Sequence, residues 1–176
     1  QKYELSKQQL DSLLAANPQH VTNPMLQFVY GLLEHKRENF NEALQHYVAA
    51  INHGYVYQDR IYNNLASLFR SCKNYVEAEK YQLLALQLDS TNYVAYLNYA
   101  KILCDVHRYD DAVIAYENAI ALRPDLTDLH VEFALFLMDI KEDYLAAAKQ
   151  LNMAHKLSPN NSEIDDLLKQ AVDFCG

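Results

Sequence analysis

An aromatic residue followed by two alanines at fixed offsets returns at nearly constant spacing along this chain. Phe40, Tyr75, Tyr109 and Tyr144 stand 35, 34 and 35 residues apart. Three residues after each comes Ala43, Ala78, Ala112 or Ala147, and seven residues later Ala50, Ala85, Ala119 or Ala154. A period of this length specifies stacked helical hairpins, none of which can bury its apolar face alone, rather than one closed core. The question of function moves with it, from chemistry to surface recognition.

The residue types fit that reading. Small residues at Ala66, Ala78, Ala85, Ala100, Ala112 and Ala119 let helices approach closely, and Tyr62, Tyr81, Tyr96 and Tyr116 fill the gaps between them. Ala112, Ala115, Tyr116 and Ala119 follow the i, i+3, i+4, i+7 spacing of a buried helical face. Pro124 and Pro159 cannot continue a helix and separate units. Asn160, three residues before Glu163, reads as an N-cap with its capping-box partner. Hydrophobic residues make up 51% of the 176, enough for a continuous core, and only 3 glycines argue against a turn-rich β fold. About ten helices of roughly 13–15 residues are expected.

These residues resemble the tetratricopeptide repeat. Residues 93–126 carry its pattern through Tyr96, Tyr99, Ala100 and Leu103, then Tyr109, Ala112, Tyr116 and Ala119, with Pro124 closing the unit. Residues 127–161 match through Ala147, Leu151, Ala154 and Pro159, with one extra residue near Glu142. Residues 59–92 match through Tyr62, Leu65, Ala66, Phe69, Ala78 and Ala85, with Ser90 in place of the proline. Residues 24–58 match through Tyr30, Gly31, Ala43, Tyr47 and Ala50, with Gly54 ending the helix. Residues 1–23 read as a half repeat, a second helix without its partner (Tyr3, Ser6, Leu10, Leu13, Pro18), and residues 162–176 as a capping helix. The resemblance implies a single all-α domain, a right-handed α-solenoid of antiparallel helix pairs.

No motif of catalysis or metal binding accompanies the repeats. The 7 histidines are scattered, with no H-E-x-x-H and no cysteine partner at zinc spacing. A nucleophile elbow and a glycine-rich phosphate loop are both missing. His53 and His107 fall near helix ends, where imidazole can serve the last carbonyls. Asp110–Asp111 and Asp165–Asp166 fall in first turns, where carboxylates suit the helix dipole. The expectation is a protein that is not an enzyme, with no catalytic residue, metal or cofactor. With net charge −8 and no basic stripe, nucleic acid is not an expected partner. No run of 18 apolar residues predicts a membrane span. Cys72, Cys104 and Cys175 read as free thiols of a reducing compartment, hence a cytoplasmic expectation. Lacking an initiator methionine and opening inside a repeat, the chain reads as part of a longer protein.

In the tetratricopeptide family the first helix of each repeat lines a concave groove, and asparagines at one place there hold the backbone of an extended peptide. In this sequence Asn64 and Asn98 occupy that place. A carboxamide both donates and accepts, so one side chain can serve a peptide N–H and C=O without desolvating a charge. Arg60, Asn63, Ser67, Arg70 and Lys101 are expected on the same face, with Asp128, Glu132, Asp139 and Asp166 farther along. Such a groove is basic in its middle, acidic toward the C-terminus, and suited to a ligand of mixed charge. A clamp for the acidic C-terminus of chaperones does not fit, because Asp128 and Glu132 would repel a carboxylate. The expected role is a protein-interaction scaffold that takes a peptide or partner segment into its groove. Two alternatives are the substrate-recognition arm of a larger enzyme, such as a glycosyltransferase, and an assembly subunit that dimerises through its terminal helices.

Overall fold

Among the described residues, every long stretch between asparagine, aspartate, glycine and proline punctuation is helical, and the caps show why. The computed structural model describes residues 22–174 together with Gln8, Ser12 and Ala15. The unpaired helix expected from Tyr3 to Ala16 lies largely outside the described residues, as does Cys175 at the other end. Among the described residues there are nine helices and no strands. They are α1 (Pro24–Lys36), α2 (Phe40–Asn52), α3 (Gln58–Ser71), α4 (Tyr75–Leu88), α5 (Tyr93–Asp105), α6 (Tyr109–Leu122), α7 (Thr127–Asp139), α8 (Tyr144–Leu157) and α9 (Ser162–Asp173).

The chain divides into two units, Gln1–Ser90 and Thr91–Gly176. In the first, α1 packs on α2 and α3 on α4; in the second, α5 packs on α6, α7 on α8, and α9 on α8. The alanine register lies at the centre of each pair. Ala43, Ala50, Ala78, Ala112, Ala119, Ala147 and Ala154 are wholly buried. Absent side-chain bulk there sets the helix separation, and neighbouring rings fill what remains. In the first unit Phe69 and Tyr81 stack with centroids 5.4 Å apart; in the second Tyr116 stacks on Phe133 at 5.1 Å. Gly31 belongs to the same device: a Cβ there would stand 2.5 Å from two ring carbons of the buried Tyr47.

Helix ends follow two designs, and α2 shares that of the first helices, closing on Gly54 (φ 82°) with Tyr55 N reaching back to Ala50 O at 2.9 Å. The first helix of each pair closes on a left-handed residue: Glu38 (φ 62°), Lys73 (φ 58°), His107 (φ 60°) and Glu142 (φ 53°). In three of the four, the next N–H reaches back five residues, Asn39 to Glu34, Asn74 to Phe69 and Arg108 to Leu103, each at 2.9 Å. In the fourth, Asp143 N reaches Leu137 O, six residues back, also at 2.9 Å, so this loop absorbs the extra residue near Glu142. The second helices α4, α6 and α8 instead end in open backbone at Asp89, Arg123 and Ser158. At the helix starts, Asn23, Asn74, Asn92, Asp143 and Asn161 accept from backbone N–H groups. Asn161, rather than the expected Asn160, caps α9, because the helix begins at Ser162. Nor does His107 turn its imidazole to the last carbonyls: Nδ1 meets Tyr109 Oη at 2.6 Å.

Three hairpins are bridged by polar pairs that the apolar repeat pattern does not announce. Gln27 Oε1 meets His46 Nδ1 at 2.7 Å, Gln82 Nε2 donates to Asn63 Oδ1 at 3.2 Å, and Gln150 Oε1 meets His130 Nδ1 at 2.8 Å. The partners are separated by 19, 19 and 20 residues, one helix-turn-helix crossing each time. Buried polar groups that find each other this way fix the register of one helix on the next.

Candidate functional site

Within the first unit the two leading helices, α1 and α3, border a cavity of about 650 Å³. Leu32, His35, Lys36, Glu38 and Phe40 bound it on one side, and Asn64, Ser67 and Ser71 on the other. Two of the residues expected in a groove, Asn64 and Ser67, are thus brought to one opening. Asn64 Nδ2 donates to Arg60 O, one turn earlier, at 2.7 Å. That bond fixes the carboxamide and leaves Oδ1 as an acceptor for an incoming N–H. Ser71 Oγ donates to Ser67 O at 3.1 Å, so the serines line the cavity with hydroxyl oxygens that can still accept.

Lys36 brings a cation to this opening, Glu38 a carboxylate, and His35 an imidazole. The His35 ring stands edge-on to Phe40 at 6.0 Å and to Tyr47 at 6.4 Å. Burial against these rings, followed by the neighbouring Lys36 charge, holds its imidazole below the usual histidine range. It therefore faces the cavity neutral at pH 7, able to accept or donate one hydrogen bond. Sequence reading missed His35, Lys36 and Ser71. The signal was available in the three- and four-residue spacing from Leu32 to His35 and Lys36 and from Ser67 to Ser71, which puts each set on one helical face.

The other expected residues of this unit are distributed differently. Asn63 faces α4, where Gln82 donates to it, and Gln82 is wholly buried. The Arg60 guanidinium lies over the Tyr57 ring at 4.7 Å, and Arg70 is half-buried and engaged within the protein. In the second unit Asn98 is half-buried on α5 and also engaged within the protein. Lys101 Nζ pairs with Glu132 Oε1 at 3.1 Å, which ties α5 to α7, and Tyr116 Oη donates to the same oxygen at 3.5 Å. Asn64 and Asn98 thus belong to separate units. Among the described residues no group of three histidine, cysteine or carboxylate side chains could hold a metal ion, and no helix is long and apolar enough to cross a membrane.

No family model matches the sequence. Among curated proteins, a DnaJ homolog subfamily C member 7 homolog of Dictyostelium discoideum is 24% identical over 164 residues, covering 85% of this chain. The chain spans 30% of that relative's length. Among solved structures, a tetratricopeptide repeat protein from Parabacteroides merdae superposes with a TM-score of 0.71 at 20% identity, over 97% of this chain and 65% of its own. YrrB, described as a TPR protein with an unusual peptide-binding site, superposes with a TM-score of 0.66 at 16% identity, over 98% of this chain and 84% of its own. Likeness at this identity speaks to fold, and it agrees with the helix pairs, the alanine register and the 34- to 35-residue period. By fold, this chain is an array of tetratricopeptide repeats.

Proposed function

We propose that the protein is a non-catalytic interaction module that holds an extended segment of a partner protein against its leading helices. The observation that carries this reading is the polar cavity between α1 and α3, where Asn64 and Ser67 face His35, Lys36 and Leu32 across about 650 Å³. An extended backbone needs alternating acceptors and donors more than it needs charge, and this lining offers a carboxamide, hydroxyls and a neutral imidazole. Asn98, Lys101, Arg60, Arg70 and Glu132 extend the recognition surface, each within its own unit. The peptide-binding site named for YrrB supports such a use of the fold without assigning its ligand to this chain.

The test is affinity capture by the wild type and by an Asn64→Ala/Asn98→Ala variant side by side, with bound proteins identified by mass spectrometry. Partners held by the wild type and lost by the variant are the expected result. Identical capture by both proteins would reject the assignment.

A further inference from the structure

The acidic character of this chain is concentrated in one half. Residues 91–176 hold 14 acidic and 7 basic side chains, against 9 and 8 in residues 1–90. Net charges of −7 and −1 follow, so nearly the whole excess of −8 sits in the second unit. There α7 and the start of α9 border an opening of about 380 Å³. Val131, Leu135 and Ile164 supply its apolar floor, and Asp128, Glu132 and Glu163 its rim. Leu135 leaves 37% of its surface exposed, although it lies on a helix whose other apolar residues are largely buried.

Helix electrostatics account for part of this rim. Asp128 and Glu163 sit in first turns, where a carboxylate favours the dipole. Glu132 does not. It lies in the middle of α7 between the half-buried Val131 and the exposed Leu135, and Lys101 already answers it with an ammonium 3.1 Å away. The chain thus supplies from its own α5 the kind of group that complements this wall. A metal ion is not the occupant, since these acids form no cluster that could hold one. The floor calls for aliphatic carbon, and the rim for cations spaced along a chain.

We infer that this opening docks a short cationic peptide segment of a partner, with an aliphatic side chain on Val131, Leu135 and Ile164 and lysine or arginine at Asp128, Glu132 and Glu163. The inference rests on the interaction-module reading and names the partner chemistry for the second unit. The concentrated charge steers such a segment toward this half, and the apolar floor gives it a seat.

The probe is a fluorescein-labelled hexapeptide alternating lysine and leucine, titrated by anisotropy against the full chain. Its comparators alternate lysine with serine and glutamate with leucine. The lysine-leucine peptide is expected to bind best. An Asp128→Asn/Glu132→Gln/Glu163→Gln variant should weaken it by roughly tenfold or more, and Leu135→Ser by about fivefold. A Glu117→Gln/Glu142→Gln/Asp173→Asn control, equal in charge but outside the opening, should change it less than about twofold. Circular dichroism checks that each variant folds.

Equal loss in both triple variants would reduce the effect to diffuse attraction and overturn the site. Equal binding of the serine peptide would remove the apolar seat, and no binding of the lysine-leucine peptide would end the proposal. A concentration-dependent dimer in sedimentation that Leu135→Ser abolishes would assign the opening to a second copy instead. Because Asn64→Ala/Asn98→Ala replaces none of these six residues, the general reading and this one can fail separately.

Discussion

Gly31 is the residue whose replacement should be felt most directly. Its missing Cβ leaves room for the Tyr47 ring, which is wholly buried and flanked by Phe28 at 6.1 Å and His35 at 6.4 Å. Alanine would gain about 1 kcal/mol of helix propensity, but forcing a methyl into a packed ring costs about 1–3 kcal/mol. Gly31→Ala is therefore expected to lower stability by up to roughly 2 kcal/mol in urea unfolding. In a Tyr47→Leu background, with the ring gone, the same change should become stabilising. His35 makes a pH prediction. Its folded value lies below 6.5, with burial the larger cause and Lys36 the smaller. As pH falls through 6.5 the unfolded chain takes up this proton first, so stability drops, and the loss is complete below the folded value. His35→Gln should flatten that part of the profile, and an imidazole resonance that titrates at or above 6.5 would contradict the account.

At the scale of the element, the left-handed turn between paired helices recurs at Glu38, Lys73, His107 and Glu142 without a glycine in any of the four. A side chain in that conformation costs about 1–2 kcal/mol, and glycine's extra freedom in the unfolded chain cancels about half of the gain. Lys73→Gly is thus expected to raise stability by about 0.5–1 kcal/mol, read from the urea midpoint. The α3–α4 pair carries a second irregularity. Counted from the opening aromatic, Gln82 occupies the place of Tyr47, Tyr116 and Leu151, wholly buried, with its Oε1 lacking a partner. An unsatisfied buried acceptor costs about 1–3 kcal/mol, whereas removing both members of a polar pair can be neutral or better. A Gln82→Leu/Asn63→Ala variant should match or exceed wild-type stability and should be more stable than Gln82→Leu alone. A double variant less stable than the single would mean that the pair contributes more than it costs.

At the scale of the molecule, the two units present different chemistry. The first presents carboxamide, hydroxyl and imidazole groups around the α1–α3 cavity, and the second presents acids around an apolar floor. Asn64 and Asn98 stand on helices of different units. A ligand that uses both should lose affinity with each single alanine substitution, and the double variant should lose roughly 1–3 kcal/mol. Isothermal titration with a captured partner measures this, and a loss confined to Asn64→Ala would restrict the ligand to the first unit.

The sequence by itself determined the helices, their pairing and the fold. Those follow from period and residue size: an alanine three places after an aromatic, with a second seven places on, can be satisfied only by closely packed hairpins. It also placed Asn64 and Ser67 on a leading helix, because helical spacing alone puts them on one face. Which way each polar side chain turns was decided only by tertiary structure. Asn63 and Asn64 are neighbours of one type, yet one meets Gln82 from α4 and the other borders the cavity with α1. His35 and Glu132 took their surroundings in the same manner, from rings and an ammonium brought by other helices. Periodicity records what a helix buries against its partner; what Asn63, Gln82 and Glu132 meet depends on residues about 20 to 30 positions away, and no local pattern carries that information.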